Sequence, residues 1–103
     1  MVRFLAWSPE AIEDLESIAT YIERDSEHYA RAVVSRIVSV AESIPDHPMM
    51  GREVPEKGVP DVRERFVYSY RVIYHIEPER ILVVAVIHGS RQFSALGDRL
   101  EDA

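Results

Sequence analysis

The chain has 103 residues, 47% hydrophobic and 29% charged, with no cysteine and a net charge of −6. That is the balance of an ordinary globular protein with room for one core, so residues 1–103 are expected to form a single domain. The composition excludes disulfides, thiolate nucleophiles and cysteine-based zinc sites, and the net charge argues against blanket neutralisation of nucleic-acid phosphates.

Residues 2–7 read as a short strand, too brief and too soon interrupted by Ser8-Pro9-Glu10 for a signal peptide. Ser8 is placed to cap a helix, Pro9 suits its first position, and acidic residues favour its positive end. Ala11, Ile12, Leu15, Ile18, Ala19 and Ile22 then recur at helical spacing, with Glu13, Asp14, Glu16 and Glu23 on the other side. Arg24-Asp25-Ser26 is a break with a second cap. Ala30, Val33, Val34, Ile37, Val38, Ala41 and Ile44 repeat the spacing as far as Pro45, which predicts an antiparallel helix hairpin.

Pro45, Pro48, Gly51, Pro55, Gly58 and Pro60 punctuate a long connection with no periodic run of its own. From Val62 the period becomes two, and two strands with a tight turn near Ser69 are expected, followed by a polar turn at Glu77-Pro78-Glu79-Arg80. Ile81 to Ile87 is apolar at every position, as in a strand covered on both faces and central in its sheet. Residues 92–103 read as a short polar tail without a helical signal. Leu15, Ile18, Ile22, Ile37, Val38, Ile73, Val84 and Val86 are the expected core. No run approaches the roughly 18 apolar residues of a membrane span, so a cytoplasmic location is expected.

Charge is unevenly spread. Residues 1–30 carry two arginines against seven acids, a balance of −5, whereas residues 60–91 carry five arginines against four acids, a balance of +1. The four histidines, His28, His47, His75 and His88, show no metal-ligand spacing, and the glycines form no phosphate-cradling loop, so no metal or other cofactor is expected. Ser8, as a helix cap, is a poor nucleophile candidate. The tyrosines suit core or interface packing.

The order strand, helix hairpin, loop, three antiparallel strands resembles the RelE/ParE superfamily of toxins from type II toxin–antitoxin systems. The residues that carry the resemblance are Trp7-Ser8-Pro9-Glu10-Ala11, Asp14-Leu15 and Ile18-Ala19-Thr20-Tyr21-Ile22 at the front. His47-Pro48-Met49-Met50-Gly51-Arg52 in the loop, Tyr70-Arg71-Val72-Ile73-Tyr74 in the sheet and Val86-Ile87-His88-Gly89-Ser90-Arg91 at its end complete it. These are most similar to the ParE branch. The resemblance implies an α+β fold of order βααβββ, a two-helix antiparallel hairpin on a small, mainly antiparallel sheet. It also implies a toxin silenced by a cognate antitoxin in a hetero-oligomeric complex.

ParE-like members inhibit DNA gyrase by binding; RelE-like members cut messenger RNA on the ribosome. The RelE-like acid–base lysines fall here on Val62 and Glu64, and the tail tyrosine falls on or near Gly97, so a gyrase-binding inhibitor without bond-making chemistry is the expected function. On that reading Arg65, Arg71, His88, Arg91 and Phe93 are the expected target-binding residues. On the nuclease reading Arg71, Arg91 and Glu64 would be catalytic. A third reading is a degenerate, non-toxic partner of the antitoxin. Arg71 also has a plain alternative, a cross-sheet ion pair with Glu64, and His88 has another, a strand-end histidine held by hydrogen bonds.

Overall fold

The computed structural model describes residues 3–91 and Arg99. Strand β1 (Phe4–Trp7) leads into helix α1 (Pro9–Glu23), and α2 (Glu27–Ser43) follows after a three-residue link. Strands β2 (Arg52–Glu53), β3 (Val62–Val67), β4 (Tyr70–Ile76) and β5 (Arg80–His88) complete one five-stranded sheet of order β1-β5-β4-β3-β2. Only the β1–β5 pair is parallel.

Both predicted caps form. The Ser8 hydroxyl accepts the Ala11 N–H at 3.1 Å, and Ser26 accepts the Tyr29 N–H at 3.1 Å. Each satisfies one of the donors that a helix start leaves without an internal partner. The apolar stripe of α2 buries Ala30, Val33, Ile37, Val40 and Ala41 against Val72, Tyr74, Val83 and Val86 of the sheet.

Five of the eight expected core residues, Ile22, Ile37, Ile73, Val84 and Val86, are buried. Leu15, Ile18 and Val38 are half-buried, and Ile12 is 47% exposed. The periodicity found the apolar sides of both helices but made the stripes too wide and missed Val40, which is buried. Within α1 only Ala11 and Ile22 are buried outright.

Two further expectations are corrected. Strand β5 is interior, flanked by β1 and β4, but β4 is the middle strand of the five. The connection after α2 holds two 3-10 turns, Ile44–Asp46 and Pro48–Met50, and the two-residue β2. It is pinned where the Tyr74 hydroxyl donates to the Pro48 carbonyl at 2.6 Å. At Gly51 a Cβ would strike that hydroxyl and lie 2.7 Å from the Glu64 carbonyl, which explains why glycine passes there.

A β-bulge re-aims β5. Ile73 pairs with Ala85 but Tyr74 pairs with Val83, leaving Val84 as the extra residue. Ile81, Val83 and Val86 therefore face the helices, while Leu82, Val84, Ala85 and Ile87 join Val54, Val62 and Ile73 in a second cluster on the opposite face. This is why the β5 sequence has no polar alternation. Arg99, the one described residue of the tail beyond Arg91, has helical backbone, unlike the expectation for residues 92–103.

Candidate functional site on the outer sheet face

Alternation along β3 sends Glu64 and Phe66 to the face away from the helices, and Arg71 and Ile73 of β4 share that face. Glu64 stands opposite Ile73 and Phe66 opposite Arg71, so Glu64 and Arg71 are diagonal neighbours across one strand pair. Both are buried, Glu64 at 1% and Arg71 at 4% exposure.

Arg71 is saturated. Its Nε donates to Glu64 Oε1 at 2.6 Å, its Nη1 and Nη2 grip the two oxygens of Glu56 at 2.9 Å each, and Nη1 also donates to the Arg91 carbonyl at 3.1 Å. The Glu56 hydrogen bonds, followed by those of Glu64, raise the Arg71 pKa further despite burial. The other oxygen of Glu64 accepts from Arg52 Nε at 2.5 Å, and the Arg52 guanidinium lies 5.2 Å from the Phe66 ring centre. Two guanidinium groups and two carboxylates thus cancel. The cleft they floor, about 380 Å³, is lined by Arg52, Pro55, Glu56, Phe66, Gly89 and Arg91 besides Arg71.

Of the residues singled out from sequence, Arg71, Glu64 and Arg91 meet in this cleft. Arg65 is half-buried on the helix side of β3, across the sheet from Arg71. His88 is exposed at the end of β5, its Nδ1 2.8 Å from Ser90 Oγ and its ring edge-on to Tyr70 at 5.9 Å. Burial, with Tyr29 and Tyr21 nearby, raises the Tyr70 pKa. Phe93 lies outside the described residues. Glu56 and Arg52 were not singled out: both sit in or beside the aperiodic connection, which carries no signal of what it folds against.

The geometry decides what this cleft can do. A general base must reach the proton that it removes, and both Glu64 oxygens are already committed to arginines. Arg91 is exposed and its side chain forms no ion pair among the described residues. It is the available cation of the cleft, whereas Arg71 is its fastener.

The grooves that adjoin the helices include these two. One, about 550 Å³, runs along the hairpin past Ala19, Glu23, Glu27, Ala30, Arg31 and Val34. The other, about 500 Å³, follows β5 past the end of β1, between Asp14, Ile18, Tyr21, Tyr70, Val86 and His88. There the Val86 N–H donates to Asp14 Oδ2 at 3.0 Å, and Arg99 Nη1 donates to the Val84 carbonyl at 3.1 Å while pairing with Asp14 at 2.7 Å. Side chains supply what a neighbouring strand would.

Comparison with known proteins agrees with this architecture. A Sinorhizobium fredii (strain NBRC 101917 / NGR234) protein described as a candidate toxin, Y4kP, is 26% identical over 94 residues, 86% of this chain and 91% of its own. A chain of the chromosomal ParDE system of P. aeruginosa superposes with a TM-score of 0.71 at 20% identity, covering 84% of this chain and 96% of that one. The YoeB dimer of Staphylococcus aureus gives 0.61 at 16% identity, covering 85% and 98%. The family described as the ParE toxin of the type II toxin–antitoxin system parDE matches residues 5–93. With the two-helix, five-strand architecture matched by both solved structures and nearly the whole chain matched by the family, this protein belongs to the ParE toxins of type II toxin–antitoxin systems.

Proposed function

We propose that this toxin acts by binding DNA gyrase, without cutting a substrate, and that a cognate antitoxin silences it in the cytoplasm. The observation that carries the reading is the neutralised Arg71. A phosphodiester-cleaving site needs cationic groups free to meet the phosphate and a base free to take a proton. Here the Arg71 fork is filled by Glu56 and Glu64, and Glu64 is filled by Arg52 and Arg71. A scissile phosphate entering the cleft would meet two carboxylates whose charge is already spent on the arginines.

The antitoxin reading draws on the similarity to the ParDE system and on the two helix-flanking grooves. The hairpin groove suits a partner helix, and a strand added along β5 beyond Trp7 would have to displace Asp14 and Arg99 from the Val86 N–H and the Val84 carbonyl. The test is direct. Purified toxin should inhibit gyrase supercoiling and leave ribosome-bound messenger RNA intact; site-specific cuts in a translating extract with supercoiling unaffected would establish the nuclease reading instead. Failure of the isolated chain to slow growth would favour the degenerate one.

A further inference from the structure

The β3–β4 hairpin turns through Tyr68 and Ser69, and Tyr68 is the only non-glycine with positive φ (+54°) among the described residues. A two-residue hairpin loop favours glycine at such a position, and a bulky side chain is disfavoured there. Nothing inside the fold rewards the tyrosine: it is 62% exposed and makes no hydrogen bond among the described residues. Its neighbour Phe66 is 51% exposed, lying beside Gly89, where a side chain would meet the Ser69 carbonyl at 3.2 Å and the Phe66 ring at 3.5 Å. The Gly89 N–H donates to that carbonyl at 2.7 Å, which holds the strained turn against the end of β5.

The charge around this tip is also unspent. Arg63 is tied to backbone carbonyls, Arg80 to Glu77, and Arg52 and Arg71 to carboxylates. Arg65, on one side of the tip, and Arg91, on the other, form no ion pair among the described residues. In a chain of net charge −6, this is a local positive rim around two exposed aromatic rings. Interface anchors are drawn from that composition.

We propose that the hairpin tip, Tyr68 and Phe66 flanked by Arg65 and Arg91, is the surface with which the toxin grips its target, and that the target presents an acidic protein surface with an apolar recess for the Tyr68 ring. This deepens the binding reading above and rests on it. A protein is the occupant because the rest of the chain repels polyanions and the cleft beside the tip, with Arg52 and Arg71 neutralised by Glu56 and Glu64, offers a phosphate chain only Arg91 among the described residues. The surface is separate from the hairpin groove and shares only Arg91 with the β5 groove, so a partner helix in the hairpin groove would leave it open.

The test is Tyr68→Gly in the full chain, read by growth arrest on induction, by supercoiling inhibition with purified gyrase and by thermal melting. Glycine accepts the positive φ, so the melting temperature should hold or rise while inhibition weakens by about thirtyfold, the scale of losing an anchoring aromatic. Tyr68→Asn, which also tolerates that backbone, gives the same reading should the glycine variant express poorly. Charge reversal at Arg91 should weaken inhibition further. A Tyr68→Gly toxin that melts as the parent does and inhibits at the parent's concentration overturns the proposal. So does loss of RNA cleavage rather than of protein binding, or a parent chain that arrests nothing. If the parent arrests growth without touching gyrase and Tyr68→Gly no longer arrests it, the surface stands and the choice of gyrase falls.

Discussion

On the helix side of the sheet Ile37, Val33 and Ile44 meet Val72, Tyr74 and Val83, and among these the one side-chain polar atom is the Tyr74 hydroxyl, which donates to the Pro48 carbonyl. On the opposite side, one residue along the same strand, Arg71 is buried with Glu64 in a charge network that reaches Glu56, Arg52 and the backbone of Arg91. The two faces answer substitution differently. An apolar face loses stability in proportion to the volume removed, because its contacts are many and individually weak. An ionic cluster is close to all-or-none, because removing one partner strands the other without solvent.

The largest effect should come from breaking the network on one side only. Arg71→Ala leaves Glu64 buried beside a single, exposed arginine, Arg52, and should cost about 3–5 kcal/mol in denaturant unfolding. The matched double change Arg71→Met with Glu64→Leu should recover much of that loss. If the double variant is as unstable as the single ones added together, the two residues do not act as a unit and the contrast between the faces fails.

On the helix side, Ile37→Ala should cost about 2–5 kcal/mol, with Ile37→Val far milder. Equal losses from the two changes would mean that the site depends on shape rather than on buried volume. Ser8→Ala removes the α1 cap and should cost about 1 kcal/mol without changing either face, a control visible as a small drop in melting temperature.

The smallest effect distinguishes the faces by pH. Burial raises the Tyr74 pKa above its ordinary value, with the Gly51 backbone, Arg63 and Arg65 only partly opposing this. The folded state therefore holds that proton more tightly than the unfolded chain. The associated stability is present at neutral pH and is lost as pH climbs from the unfolded tyrosine pKa through the higher folded one. Tyr74→Phe should reduce this alkaline fall and leave the part due to Tyr70; an unchanged profile would contradict it.

Much of the architecture was legible because it is written in short-range chemistry. Ser8-Pro9 and Ser26 start helices wherever they stand before an apolar stripe, and a doubly apolar run such as Ile81–Ile87 has to be covered on both faces. The β3–β4 turn at Ser69 followed from two alternating runs that abut. The stripes were drawn too wide at Ile12 and Val38 because periodicity reports which side a residue is on, not how far the neighbouring layer extends. The order of the sheet, with β4 in the middle, was not legible either, since pairing partners lie dozens of residues apart.

The site divides in the same way. Sequence alone determined that Glu64 and Arg71 lie on adjoining strands with Arg91 just past the last one, that the lysine pair of the nuclease branch is absent, and that the chain has the caps, the stripes and the succession of elements of a ParE toxin. Only the tertiary structure decided that Arg71 is spent and Arg91 is not, that Arg65 lies on the other face, and that Tyr68 stands exposed in a strained turn. The reason is physical. Strand alternation fixes a face locally, but whether a charge on that face is free depends on the carboxylates that the fold delivers to it. Glu56 arrives from a proline-broken loop fifteen positions away, where no periodicity announces it.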